Sequence, residues 1–352
     1  MSVPYDVAIA GGGPSGAACG TLCAQAGLRT LVLERCSFPR DKVCGDCLNP
    51  GCWPLFEELG IAETVRQAAP MPIANVAFAD AEGRRIAFPL HGEMALPRRV
   101  LDDLLLRRCM EAGADVRQEA GLRSLEREKA GGWRISTQAG EFAALRLVAA
   151  DGRNSTVARL LGAAPGARRD RVALQAHLPT PAGLARDIEL HLLPQGYCGT
   201  APVGDGVTNF CMVSTAPEME ALKAGVARRF GFDARQQQWR AIAPLERAPI
   251  RPLRDGVLYT GDAARVVEPF TGEGIYYALL TGMLAARHIA TGSVERYPAD
   301  CAALYRQRLW INRMARWAVT HPGGGAMLLR LLSLHPASLG FLVQRVSAPA
   351  QS

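Results

Sequence analysis

Asp6-Val-Ala-Ile-Ala-Gly-Gly-Gly-Pro-Ser-Gly16, followed by Thr30-Leu-Val-Leu-Glu34, reads as strand, glycine turn, helix, second strand and terminal acid. Gly11, Gly13 and Gly16 fit the G-x-G-x-x-G spacing. The first glycine permits the tight turn, the second lets the backbone approach a pyrophosphate, and the third lets the helix lie close on the sheet. Pro14 and Ser15 lie in the turn where the helix opens. Unpaired N–H groups and the helix dipole favour negative charge there. Glu34 ends the second strand, where a carboxylate can accept both hydroxyls of an adenosine ribose. A glycine motif alone is weak, because Gly-rich turns are common. The ordered strand, helix and spaced acid are what point to a dinucleotide.

The rest of the composition mainly excludes. The chain has 352 residues and a formal charge of +7, with only three lysines (Lys42, Lys129 and Lys223) among 40 basic residues. An arginine-heavy balance is poor ground for nucleic-acid binding, and no nucleic-acid motif accompanies it, so no such partner is expected. The charge is unevenly placed. After Asp300 there is no acid, but there are six arginines: Arg306, Arg308, Arg313, Arg316, Arg330 and Arg345. Mixed with Leu, Met, Trp and Phe, they suit an anionic membrane surface or an acidic carrier protein. A helical cap with solvated arginines is the other reading. The stretch 323–343 is broken by Arg330, His335 and Pro336 and is a poor membrane span. Met1 to Tyr5 leads directly into the first strand, so no signal peptide is expected. The ten cysteines follow no disulfide framework, which favours a cytoplasmic protein, peripheral to the inner membrane face if the basic segment docks there.

Along the chain, 51–69 looks helical, and 73–89 alternates like strands. Pro97 to Gly113 has helical spacing with Gly113 as a C-cap. Strand signals follow at 117–126 and 133–137, and 146–152 reads as a buried parallel strand. From 171 to 252 the alternation suggests an antiparallel sheet. A sheet strand returns at 256–262, and a long helix starts at Gly274. No second glycine cradle follows, so a separate nicotinamide-binding domain is not expected.

Three later segments turn a general dinucleotide reading into a flavin reading. Two are strands delivering Asp151-Gly152 and Gly261-Asp262, where a carboxylate can accept from ribitol hydroxyls. The third, Pro269-Phe-Thr-Gly-Glu-Gly-Ile275, exposes backbone N–H groups ahead of a helix, suited to the flavin edge that gathers negative charge on reduction. With these segments and Phe38-Pro-Arg-Asp-Lys-Val-Cys-Gly-Asp46, the chain from Tyr5 to Ala286 resembles the geranylgeranyl reductase family. That family is a branch of the flavoproteins that include p-hydroxybenzoate hydroxylase.

The resemblance implies an α/β fold: a Rossmann-like FAD-binding domain of the glutathione-reductase type, interleaved with an antiparallel-sheet substrate domain and a C-terminal helical segment. The boundaries expected are 1–70, 95–165 and 253–295 for the FAD domain, 71–94 and 166–252 for the sheet domain, and 296–352 for the cap. It implies one non-covalent FAD, with NAD(P)H as a transient electron donor. Ser15, Glu34, Arg99 and Leu122 are expected around the adenosine and pyrophosphate. Asp262, Gly274 and Ile275 are expected at the ribitol and ring, and Cys44 and Gly45 in a Lys-x-Cys-Gly loop approaching the flavin. Pro14, Arg35, Arg40, Gly152, Gly261 and Gly272 complete the expected cofactor set with Gly11, Gly13, Gly16 and Asp151. Gln195-Gly-Tyr197 resembles the start of a family strand. Cys198 and Thr200 replace aromatic or apolar residues often seen there, so the substrate-facing sheet is expected to differ from that of a true isoprenoid reductase.

Cys44 and Cys47 form C-x-x-C, but thioredoxin-like context and a second zinc-ligand pair are both missing, so no metal is expected. Cys19 and Cys23 are expected to pack as small apolar side chains. The six histidines form no spaced cluster, and none is assigned chemistry. The reaction expected is hydride transfer to or from a hydrophobic or carrier-bound substrate, as double-bond reduction or desaturation. An aromatic or polyketide monooxygenase and a flavin electron-transfer or binding protein are the alternatives. Halogenation is disfavoured, because Trp53, Trp133, Trp239, Trp310 and Trp317 build no Trp-x-Trp-x-x-Ile-Pro segment.

Overall fold

The fold is taken from a computed structural model that describes residues 4–129, 131–168, 171–182, 184 and 187–306. Beyond these it describes Trp310, Arg313, Met314, Arg316, Trp317, His321, Gly324, Met327 and Arg330. The sequence stretches at 326–334 and 338–346 lie outside the described residues, apart from Met327 and Arg330.

The central sheet is ordered Leu253–Arg254, Val257–Tyr259, Gly140–Ala149, Tyr5–Ala10, Thr30–Leu33, Asp115–Arg117. Along this order the pairings are parallel except at the Leu253–Arg254 edge, and an antiparallel pair of further strands joins the sheet through Gly140–Ala149. From Tyr5–Ala10 the chain moves to one side through Thr30–Leu33 and later returns on the other through Gly140–Ala149. The order therefore reverses at Tyr5–Ala10, and a crevice opens beyond the carboxyl ends of the strands, where ligands of such sheets bind.

Both faces of the first strand are covered. Val7 and Ile9 pack with the helices Pro14–Gln25, Arg98–Glu111 and Gly274–Ala290. Ala8 and Ala10 face the opposite layer, with Trp133 and Ile135 of an antiparallel meander formed by Leu122–Arg127, Trp133–Thr137 and Gly140–Ala149. The first helix is buried almost all round, which explains its run of small residues. A Cβ at Gly20 would lie 2.6 Å from Cys109 Sγ, and one at Gly282 only 2.1 Å from the Ser15 carbonyl oxygen. Cys19 and Cys23 pack in this core.

The second sheet has seven strands, ordered Arg240–Ile242, Val172–Pro179, Val207–Ser214, Gly196–Gly204, Asp187–Leu193, Asn75–Ala79, Arg85–Pro89. Its strands thus come from two separated parts of the chain, joined by the one parallel pairing, Asp187–Leu193 with Asn75–Ala79. The helix Met219–Phe230 covers one face through Met219, Leu222 and Val226 on Phe210, Met212 and Cys198. The other face looks toward the crevice.

Two local expectations change. The helix expected over 51–69 is two helices, Cys52–Leu59 and Ala62–Gln67, separated where Gly60 takes a left-handed φ of 72°. The strand expected over 117–126 is also two. Asp115–Arg117 joins the parallel sheet, and Leu122–Arg127 joins the meander.

Candidate cofactor and substrate cleft

The crevice is one cleft of about 460 Å³ running from the glycine turn to the second sheet. Gly11 has φ 102°, and a Cβ there would lie 2.5 Å from the Ala150 carbonyl oxygen. A Cβ at Gly16 would lie 1.8 Å from the Gly11 carbonyl oxygen, so turn and helix are in backbone contact. Gly13 is different. The nearest atom to a Cβ there is Arg40 Nη2 at 3.5 Å, so the missing side chain leaves open space at the start of the helix. Pro14 and Ser15 also line the cleft, and Ser15 Oγ donates to Thr260 Oγ1 at 2.8 Å.

Glu34 is buried at the cleft wall. Its carboxylate accepts from the Gly12 N–H at 2.7 Å and the Cys36 N–H at 3.0 Å. Each oxygen keeps a further lone pair for a ribose hydroxyl. Arg35 and Leu122 line the same end.

Arg99 is corrected. It is exposed and does not line the cleft, whereas its neighbour Arg98 does. One residue along a helix turns the side chain by about 100°, so only one of the pair can face inward. Arg98 binds Asp102 through two bonds, Nε to Oδ1 at 2.6 Å and Nη2 to Oδ2 at 2.8 Å. Arg40 Nη1 lies 3.1 Å from the same carboxylate. Two guanidiniums share one buried acid beside the open Gly13, leaving positive charge for a pyrophosphate.

At the other end, Asp151, Gly152, Asp262, Gly272, Gly274 and Ile275 line the cleft. Asp151 Oδ2 accepts from the Thr156 and Val157 N–H groups at 2.6 and 3.0 Å, while its Oδ1 is buried without a hydrogen-bond partner. Burial pushes the Asp151 carboxyl up from its ordinary value, against those hydrogen bonds. Asp262 Oδ2 accepts from Arg153 Nη2 at 3.2 Å. Gly261 is buried behind the lining, its N–H donating to Thr281 Oγ1 at 2.9 Å. A Cβ at Gly272 or Gly274 would meet nothing within 4 Å, so the first turn of Gly274–Ala290 opens onto free space. Unpaired N–H groups there suit an electron-rich ring edge.

The Cys44 loop is tied to the second sheet. The Cys44 carbonyl accepts from Gln175 Nε2 at 2.9 Å and Asn209 Nδ2 at 2.8 Å. The buried Asp46, with φ 59°, lies 2.7 Å from His177 Nε2 and accepts from the Arg98 N–H at 3.2 Å. Cys44 and Gly45 are thereby held in the cleft wall. Gln175, His177 and Asn209 were not singled out in the sequence. The signal was present for two of them: alternation along Val172–Pro179 sets Gln175 and His177 opposite the buried Ala176 and Leu178. Burial pushes the Cys44 thiol up, with Arg98 pulling the other way, and lowers the Lys42 amine to about 8.

Beyond that loop the lining is mostly apolar: Val76, Phe78, Ile188, Leu190 and Leu192 on one side, with Ala173, Gly199 and Ala201 leaving room between. Met314 completes the rim. Nearby, Arg171 binds the fully buried Glu268 at 3.1 and 2.8 Å, and Arg316 reaches both Glu246 and Glu268. Arg316 is therefore an ion-pair member, though still partly exposed. Among the described residues, no group of three or more His, Cys, Asp or Glu is placed to hold a metal ion. None of their helices is long and apolar enough to cross a membrane.

Comparison with known proteins agrees with this geometry. Residues 4–182 match the FAD binding domain family. The menaquinone reductase of Mycolicibacterium smegmatis is 27% identical over 87% of this chain and 81% of its own. Digeranylgeranylglycerophospholipid reductase 1 of Methanopyrus kandleri is 27% identical over 86% of this chain and 84% of its own. A myxobacterial chondrochloren halogenase superposes with TM-score 0.77 at 22% identity, covering 90% of this chain and 83% of that one, a likeness of fold. The glycine contacts, the paired arginines and the open helix start all fit FAD, and by sequence and structure the chain belongs to the FAD binding domain family of flavin-dependent oxidoreductases.

Proposed function

We propose that the protein reduces a carbon–carbon double bond or a quinone ring of a lipid-soluble, isoprenoid-type substrate. One observation carries this reading: the cofactor end of the cleft continues without a wall onto the apolar face formed by Val76, Phe78, Ile188, Leu190 and Leu192. Burying such a chain yields about 0.8 kcal/mol per CH₂. Relatives named menaquinone reductase and digeranylgeranylglycerophospholipid reductase support the same direction.

Bound FAD supplies hydride transfer, and the protein supplies position and protons. Arg40 and Arg98 would hold the pyrophosphate, Glu34 the ribose, and Asp262 the ribitol, since all four line the cleft. Reduction of a double bond also needs one proton. The Cys44 thiol, kept protonated by burial, lines the cleft between the cofactor end and the apolar face. Lys42 carries a second proton nearby.

The test is anaerobic. Flavin reduced by NADPH, NADH or dithionite is mixed with a detergent-solubilised prenylated quinone or a polyunsaturated isoprenoid lipid. Reoxidation of the flavin with formation of the reduced lipid is expected. Reoxidation only by oxygen, through a hydroperoxide absorbance and with a hydroxylated product, would assign the protein to the monooxygenases instead.

A further inference from the structure

Eight large hydrophobic side chains are exposed among the described residues, and four of them, Trp310, Met314, Trp317 and Met327, follow Arg306. Trp310, Met314 and Trp317 are 43%, 41% and 43% exposed, and all three are helical. Arg306 and Arg313 are exposed as well. Arg316 is turned instead to Glu246 and Glu268. Met314 also lines the cleft, so this exposed apolar group reaches the mouth of the substrate cleft.

We propose that this face docks on an anionic membrane surface, with the mouth of the cleft turned toward the lipid. Charge complementarity selects that occupant: no acid follows Asp300 in the sequence, and exposed Arg306 and Arg313 accompany the exposed apolar side chains. Indole rings prefer the headgroup level of a bilayer, and a helix mixing large apolar with basic residues lies in the interface plane. An acidic carrier protein would satisfy the arginines but gives no reason for two exposed tryptophans and an exposed methionine. The inference deepens the reading of a lipid-soluble substrate by naming where that substrate is collected. It does not need turnover to be tested.

The experiment uses the full flavin-loaded chain. It is sedimented with vesicles of phosphatidylcholine alone, or with one-third phosphatidylglycerol, at low and high salt, while tryptophan emission is recorded. Binding to the anionic vesicles with a blue shift, weakened by salt, is expected. Combined Trp310→Ser and Trp317→Ser should weaken it roughly tenfold or more. Arg306→Gln and Arg313→Gln should each weaken it about fivefold at low salt. Flavin content and thermal unfolding should not change. Absence of vesicle binding, binding unaffected by the tryptophan changes, or capture by an acidic carrier without vesicle binding would overturn the proposal. So would a dimer that the tryptophan changes dissolve. None of these outcomes touches the detergent-based reduction assay, so the two readings fail separately.

Discussion

Arg98 and Asp102 meet one helical turn apart in a two-bond pair at 2.6 and 2.8 Å, with the carboxylate fully buried. Asp102 also takes Arg40, so one acid orients both cleft arginines. Removing the acid leaves two cations without their shared partner. Asp102→Asn should cost about 3 kcal/mol of stability, the lower part of the range for breaking a buried pair, because Arg40 and Arg98 retain some solvent. Thermal unfolding of the apoprotein measures that loss, and flavin retention on a desalting column should fall with it.

Two glycines of the cradle should respond in opposite ways. Gly16→Ala forces a Cβ to within 1.8 Å of a backbone oxygen, so the helix must move off the sheet. It should destabilise the fold itself, by several kcal/mol, as overpacking against a rigid backbone does. Gly13→Ala meets nothing closer than 3.5 Å and has an ordinary negative φ. That variant should unfold at the wild-type temperature yet lose yellow colour. Equal unfolding temperatures for both variants would contradict the division of roles.

Much of this was legible because local rules and tertiary demands coincide in the first strand–turn–helix. Gly11, Gly16 and the small residues of the helix answer to close backbone contact, Gly13 leaves open space at the helix start, and Glu34 accepts from the turn's own Gly12 N–H. Arg99 was misread for a simple reason. Arg98 and Arg99 are identical in type and adjacent, and the resemblance that put Arg99 at the pyrophosphate does not by itself say which of the two the helix turns inward. The partners of the Cys44 loop lie some 130 residues or more away in sequence, on another sheet, so alternation shows which way Gln175 faces but nothing local marks it or Asn209 as the loop's holders. His177 looked isolated along the chain and is paired only in space.

Lys42 makes stability depend on pH in the alkaline range. Burial, and then Arg98 and Arg153, lower its amine from the ordinary 10.5 to about 8. Between those values the unfolded chain binds a proton that the folded chain does not, so stability should rise with pH from about 8 to 10.5. The gain is up to about 3 kcal/mol. Lys42→Met should flatten this rise in apoprotein unfolding curves. An anionic cofactor in the same cleft favours the charged amine, so FAD binding near pH 8 to 9 should take up protons. Calorimetry in buffers of different ionisation enthalpy would detect that uptake, and Lys42→Met should abolish it.

Arg316 belongs to a segment read from sequence as a surface cap, yet it closes a buried cluster beside the Pro269–Thr271 turn. Arg171 and Arg316 both pair with Glu246 and Glu268. Without Arg316 the two acids lose one cationic partner, next to the loop that leads into the open helix start at Gly274. Arg316→Gln should therefore lower stability by about 1–2 kcal/mol, less than for a fully buried pair because Arg316 keeps more than a third of its exposure. The loosened loop should also weaken FAD binding severalfold and shift the flavin absorbance. Arg316→Lys keeps the charge and should recover most of the affinity but not the two-acid geometry. Titration of apoprotein with FAD, followed by fluorescence quenching, gives both values. If Arg316→Gln binds FAD as the wild type does, the segment contributes packing at the rim through Met314 and no electrostatic support to the loop.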